Sequence, residues 1–220
     1  MARECGPPRW PHGICERKRE YARLSYTLGW RLLTCVMQNI ETASVALITT
    51  NPGGSQYEAP AFSLTAGSAY LNESWKGNPP GQEKLQLQVR RMCELIGTRP
   101  SNILSGYFVP FRSRNWDELP QKDESIEIAK NIWTDILGHS PAQMIFAFGK
   151  EIAPYLAPVL HAKKDNQILA GWGNQTTDLY SNGSRRLIVM PHLSRFGLFN
   201  RPASEAGFLK AIRGSNSAPV

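Results

Sequence analysis

Residues 45–55 read VALITTNPGGS, a four-residue apolar run followed by two threonines, an asparagine, a proline and two glycines. Val45-Ala46-Leu47-Ile48 shows no polar alternation, so it reads as a short strand buried on both faces. Asn51-Pro52-Gly53-Gly54-Ser55 is dense turn chemistry, and it stops the strand abruptly. The same motif of apolar run and sudden turn recurs. Residues 102–111 run into VPFRSRNW, residues 143–149 (QMIFAFG) run into Lys150, and residues 185–196 (RRLIVMPHLSRF) run into a loop. Helical periodicity separates these runs. Leu85, Val89, Met92, Cys93 and Ile96 share one face over 83–96. Ile128, Ala129, Ile132, Trp133, Ile136 and Leu137 share one over 125–137, and KEIAPYLAPVL follows Gly149. Strands that alternate with helices predict an α/β protein with a parallel sheet covered on both faces. In such sheets ligands sit outside the carboxyl ends of the strands. TNPGGS, VPFRSRNW, FGK and PHLSRF should therefore gather on one edge.

The remaining segments read less sharply. Residues 1–14 are rich in Pro, Gly and Arg and read as irregular. Tyr21, Leu24, Leu28, Leu32, Cys35 and Val36 recur at helical spacing, which predicts an amphipathic helix over 16–39. Residues 51–82 form a long Gly/Pro-rich loop whose aromatics (Tyr57, Phe62, Tyr70, Trp75) argue that it is ordered and functional. QILAGW reads as a short strand. The expected organisation is a basic N-terminal segment (1–15), one domain (16–212) and a tail (213–220).

The chain has 220 residues, 41% of them hydrophobic and 20% charged, which suits a soluble protein with one core. No apolar run approaches the roughly 20 residues of a membrane span, and the N-terminus lacks the apolar segment of a secretory signal. The expected setting is the cytoplasm, with the Asn-x-Ser/Thr matches at Asn72, Asn174 and Asn182 fortuitous. Cys5, Cys15, Cys35 and Cys93 form no C-x-x-C pair, so buried or free thiols are expected and neither metal nor cofactor. The net charge is +7 and is unevenly spread. Residues 1–40 carry seven Lys/Arg against three Asp/Glu, and residues 185–220 carry six against one. Basic ends that meet in space would suit a polyanion such as DNA.

Several chemistries are disfavoured. NPGGS lacks the Gly-Lys-Ser/Thr of a Walker loop, and no G-x-G-x-x-G follows a strand. No G-x-S-x-G elbow is present. What stands out is Asn51 after one strand and His192 after another. An asparagine oxygen orients a water, and a histidine donates a hydrogen bond where negative charge develops. That pair suits breaking a base–sugar bond, whose oxocarbenium-like transition state needs an aimed water and a stabilised leaving anion.

TTNPGGS resembles the first motif of the uracil-DNA glycosylase superfamily, closest to its mismatch-specific and single-strand-selective branches, and PHLSRF resembles the second. The resemblance spans residues 44–200. It implies a three-layer α/β/α sandwich with a central, mainly parallel four-stranded sheet, no metal or cofactor, and a base flipped into a pocket. It makes Asn51 the water-positioning residue, His192 the stabiliser of the leaving base and Ser194 a phosphate contact. Arg195, Phe196 and Leu198 fall where the family places its wedge, with Phe199 close by as wedge or core. Pro52 and Gly53 would shape the base pocket and Ser55 would meet DNA. Phe62 or Tyr70 would stack on the base. The expected partner is DNA, single- or double-stranded, bound by a monomer. No lyase step is expected, because Lys150, the one lysine near the edge, reads as a surface charge.

Two departures qualify the resemblance. Pyrimidine-reading relatives end a middle strand in asparagine, whereas Gly106 and Tyr107 occupy that place here, with Asn102 too early and Asn115 too late. Leu193 stands where the second motif usually has proline. A site without its paired reader loses much of its discrimination. The expectation shifts from plain uracil toward a bulky modified pyrimidine, such as the glucosylated hydroxymethylcytosine of phage DNA that some family members excise in antiviral defence. A small Gly106 would make room for it, and Arg112 and Arg114, beside Trp116, would read its sugar or a phosphate. Uracil or mismatch repair is the alternative substrate reading. A DNA-binding module without activity and a nucleoside hydrolase are the competing functions.

Overall fold

The computed structural model describes residues 23–213. The expectations for residues 1–15, for the tail 214–220, and for Cys5 and Cys15 lie outside the described residues. Six strands form one mixed sheet in the order β2-β1-β3-β6-β5-β4. They are β1 (Val45–Thr49), β2 (Leu104–Tyr107), β3 (Met144–Phe148), β4 (Lys163–Leu169), β5 (Thr176–Ser181) and β6 (Arg186–Met190). The helices are α1 (Asn39–Thr42), α2 (Ala69–Asn72), α3 (Lys84–Leu95), α4 (Lys122–His139), α5 (Ala153–Val159) and α6 (Pro202–Arg213).

The α/β class agrees with the sequence, but the sheet has six strands and not four. Strands β2, β1, β3 and β6 are parallel neighbours. Beyond β6 the sheet continues with β5 and β4, each antiparallel to its neighbour. Strand β4 carries Lys163, Lys164, Asp165, Asn166 and Gln167, all exposed. It is an edge strand with a register irregularity between Lys164 and Asn166, and such strands carry little apolar signal. Strand β5 escaped the sequence reading because Thr176-Thr177-Asp178 looks polar, although Thr177, Asp178 and Leu179 are buried.

The four parallel strands alternate small and large side chains between two cores. Ala46, Ile48, Ile145, Ala147, Leu187 and Val189 face Ala129, Ile132, Trp133 and Ile136 of α4 and Leu156 of α5. Leu47, Phe146, Phe148, Ile188 and Met190 face Val89, Met92 and Cys93 of α3 and Phe208 of α6. Helix α3 begins with a reciprocal cap, in which Leu85 N–H donates to Glu83 and Glu83 N–H to Gln86 Oε1 at 2.9 Å. Cys35 and Cys93 are buried free thiols, and burial pushes them up to about 11 and about 12. No helix among the described residues is long and apolar enough to cross a membrane.

The described part of the helix expected over 16–39 is instead an extended strap. Trp30, Leu33 and Cys35 bridge to Phe111, Gly106 and Ser68, and Arg31 and Val36 bridge to Ala61 and Leu64. Gly29 has φ +91°, and a Cβ there would lie 1.8 Å from the Glu58 carbonyl oxygen, so a helix cannot pass through it. Leu32 and Leu33 are both fully buried. The strap covers the outer edge of β2: Thr34 N–H donates to Ser105 O and Tyr107 N–H to Leu32 O, both at 2.8 Å. The long loop 51–82 is ordered by this strap and by the short α2.

Candidate functional site

The parallel strands end level. Thr49 pairs with Tyr107 and with Phe148, and Phe148 pairs with Met190. The residues that follow (Thr50-Asn51, Phe108, Gly149, Pro191-His192) therefore emerge along one line. Gly149 is the point of closest approach. It has φ +113°, its N–H donates to Met190 O at 3.0 Å, and a Cβ there would lie 2.6 Å from Thr50 Cγ2, 3.0 Å from Glu151 Oε2 and 3.5 Å from His192 Cδ2. The neighbour of Asn51 and the ring of His192 meet across a residue with no side chain.

Asn51 is buried. Its Nδ2 donates to Ser113 Oγ at 2.9 Å and to Pro52 O at 3.2 Å. Ser113 Oγ in turn donates to Asn115 O at 2.5 Å. Both amide hydrogens are engaged, and Oδ1 accepts from no described residue, so the amide is held with an acceptor to spare. The turn is locked from a second side, since Gly53 bridges to Ser113 and Ser113 N–H donates to Pro52 O at 3.3 Å. Arg112, itself buried, donates to Gly53 O and pairs with Glu58. Its guanidinium is thus a brace for the first motif, while Arg114 and Ser55 are exposed.

His192 is half-buried. Its Nδ1 accepts from the Ser194 backbone N–H at 3.2 Å and lies 2.7 Å from Ser194 Oγ. A backbone N–H only donates, so Nδ1 carries no proton and the neutral ring holds its hydrogen on Nε2. Burial lowers the His192 pKa, and the Arg195 charge adds to this while the Glu151 carboxylate opposes it. The backbone of the second motif turns tightly, with Arg195 and Phe196 N–H both donating to His192 O at 3.0 Å. Ser194 and Arg195 are exposed and Phe196 is half-buried. Leu193, Leu198 and Phe199 are core residues, Phe199 lying edge-on to Phe148 and Phe208. Of the wedge candidates only Arg195 and Phe196 reach the surface.

The other sequence candidates divide. Phe62 is buried in the core under the strap, and Tyr70 is buried with its ring 5.5 Å from Trp75, edge-on. The room above Gly106 is filled: a Cβ would lie 2.5 Å from Leu32 O, 3.2 Å from Leu33 Cδ2 and 3.3 Å from Trp133. The missing side chain lets the strap dock, and leaves no space for a base. Tyr107, next along, is half-buried, and burial raises its hydroxyl pKa, modulated by the charges of Arg31, Arg112, Glu73 and Glu58. Lys150 is committed to Thr176 and to Asp178, 3.4 Å away. Burial alone would raise the Asp178 pKa, but bonds from Gln167 and Lys164 with the two lysine charges hold it below the usual carboxylate range.

Sequence reasoning missed two features. Arg31 Nη1 and Trp75 Nε1 both donate to Glu73 Oε2, at 2.9 and 2.8 Å, beside Tyr107. These residues are dispersed over a strap and a loop, and no local motif signals them. The basic C-terminal stretch is also largely consumed internally. Arg185 donates to Leu137 O and Ser140 O after α4, at 2.8 and 2.7 Å, and Arg186 to Ala211 O and Ile212 O at the end of α6. Arg201 lies 3.9 Å over the Trp172 ring. Arg195, Lys210 and Arg213 remain exposed there.

Fold and site define an α/β protein whose chemistry-bearing residues gather at the carboxyl edge of a sheet, with no cluster of metal-ligating residues among those described. No family model matches the sequence, and no curated protein matches it.

Proposed function

We propose that the protein is a monofunctional DNA glycosylase that flips a base and hydrolyses its N-glycosidic bond to leave an abasic site, with a modified pyrimidine as substrate. The observation that carries this reading is the meeting of the Asn51 turn and His192 across Gly149, each with one defined function left over. Asn51 has a spare oxygen acceptor, and His192 has its proton on Nε2.

The chemistry follows from those two atoms. Asn51 Oδ1 accepts a hydrogen bond from a water and aims its oxygen at the sugar C1′. The C1′–N bond breaks as the sugar becomes oxocarbenium-like, and the bonding electrons leave with the base; the water oxygen then bonds to C1′, and the proton it sheds neutralises the base anion. The Nε2–H of His192 donates to the base oxygen on which that charge accumulates. A neutral histidine serves here because it donates without giving up its Nδ1 contact to Ser194. Ser113 and Arg112 keep the first motif from relaxing. Exposed Arg195 and half-buried Phe196 are the groups at the surface placed to enter a base stack.

The test is an abasic-site assay with EDTA present. The oligonucleotides carry uracil, 5-hydroxymethylcytosine or its glucosylated form, with unmodified DNA as control. Alkali-labile breaks in one substrate, lost in Asn51→Ala, are expected. Salt-sensitive binding with no breaks in any substrate would point to a binding module instead.

A further inference from the structure

We propose that Arg31, Glu73 and Tyr107, gathered at the end of β2, read the edge of the flipped base through an adjacent hydrogen-bond acceptor and donor. This rests on the glycosylase reading and names the part of the site that sets its specificity. The place follows from the register. Tyr107 pairs with Thr49, two residues before Asn51, and the charge of Arg112, which holds Gly53 O, acts on its hydroxyl together with those of Arg31 and Glu73.

The three groups are held rigidly yet incompletely satisfied. Glu73 Oε2 takes both the Arg31 and the Trp75 hydrogen bonds. Glu73 Oε1 accepts none and is not sealed from solvent, as its side chain is 25% exposed and that of Arg31 20%. The remaining guanidinium hydrogens of Arg31 and the Tyr107 hydroxyl have no partner among the described residues. Glu73 cannot drift, because its carbonyl accepts from Gln86 Nε2 at 2.8 Å and from Gly81 N–H at 3.2 Å. Arg31 is anchored by its backbone to Pro110 O at 2.8 Å. An open carboxylate oxygen therefore stands beside open donors. A planar heterocycle with an adjacent N–H and acceptor fits them: Oε1 accepts the N–H, while Arg31 or Tyr107 donates to the neighbouring atom. Uracil presents N3–H beside O4, and cytosine presents N4–H beside N3. Neither Gly106 nor Tyr107 supplies an amide at the strand end; the acceptor comes instead from a carboxylate delivered by the loop.

The experiment reads binding without cleavage, in the Asn51→Ala protein. Affinities are measured by fluorescence anisotropy for identical oligonucleotides bearing uracil, 5-hydroxymethylcytosine, glucosylated 5-hydroxymethylcytosine or a tetrahydrofuran abasic analogue. One base-bearing oligonucleotide is expected to bind roughly tenfold or more tighter than the abasic analogue. Its identity decides between the uracil and cytosine edges. Glu73→Gln, which presents a donor where Oε1 stood, should remove that advantage and leave abasic binding unchanged. Tyr107→Phe, which preserves the packing, should reduce it several-fold. The proposal is overturned if both variants leave the ratio intact, if they weaken the abasic analogue equally, or if no base improves binding at all. Failure of the glycosylase reading shows separately, as the absence of abasic product from the unmodified protein.

Discussion

Gly149→Ala tests whether the two motifs truly meet. The new methyl would sit 2.6 Å from Thr50 Cγ2, well inside contact distance, and 3.0 Å from Glu151 Oε2. The Glu151 carboxylate is exposed and can swing away. The Thr50 methyl is buried and can retreat only by moving the backbone that leads into Asn51. Overpacking of this kind costs about 1–3 kcal/mol. The backbone adds its own term, because φ +113° with ψ 110° is a conformation that side-chain-bearing residues rarely adopt, at about 1–3 kcal/mol. Together these give about 2–6 kcal/mol of lost stability, read as a fall in the urea midpoint of about 1 M or more. Activity should fall as well, since a shift of about 1 Å in a positioning group costs on the order of 100-fold. Urea titration and single-turnover kinetics on the same preparation check both. A variant with an unchanged midpoint and unchanged rate would refute the claim that Thr50 and His192 close on Gly149.

Three further outcomes are expected. Ser113→Ala leaves an Asn51 N–H and the Asn115 carbonyl without their partner, so it should cost about 1–3 kcal/mol by urea titration and slow turnover on the order of 10- to 100-fold at unchanged DNA affinity. The lowered native pKa of His192, caused first by burial, means that the unfolded chain binds more protons as pH drops. Its contribution to stability is therefore complete above the ordinary value of about 6.5 and is lost as pH falls through the lowered native value. Urea midpoints should lose part of that slope in His192→Gln, and Glu151→Gln should depress the His192 titration further when followed by NMR. Gly106→Ala would drive a methyl to 2.5 Å from the Leu32 carbonyl oxygen. It should destabilise the protein by about 1–3 kcal/mol and speed amide exchange at Thr34 and Tyr107, which bond across that seam.

What the amino-acid sequence determined by itself was everything that depends on short-range patterning. Val45-Ala46-Leu47-Ile48, the run through Phe146 and the run through Val189 are buried on both faces, and continuous apolar residues say so without tertiary help. Helix α4 follows its own stripe, and α3 its capping box. Because all four parallel strands run the same way and end level, the placing of Asn51 and His192 on one edge followed from the order of elements alone. Tertiary structure decided the rest, wherever a segment had no period of its own. Leu24, Leu28 and Leu32 imitate a helix, but the docking of Leu33 against Gly106 and the contact of Gly29 with Glu58 make residues 29–36 a strap. Strands β4 and β5 are largely polar; β6 offers an edge to β5, and β5 offers one to β4. Arg185 and Arg186 look like surface charge, and folding spends them on helix carbonyls. Arg31, Glu73 and Tyr107 are dispersed along the chain, so their neighbourhood is created only when the strap and the loop close over the end of β2.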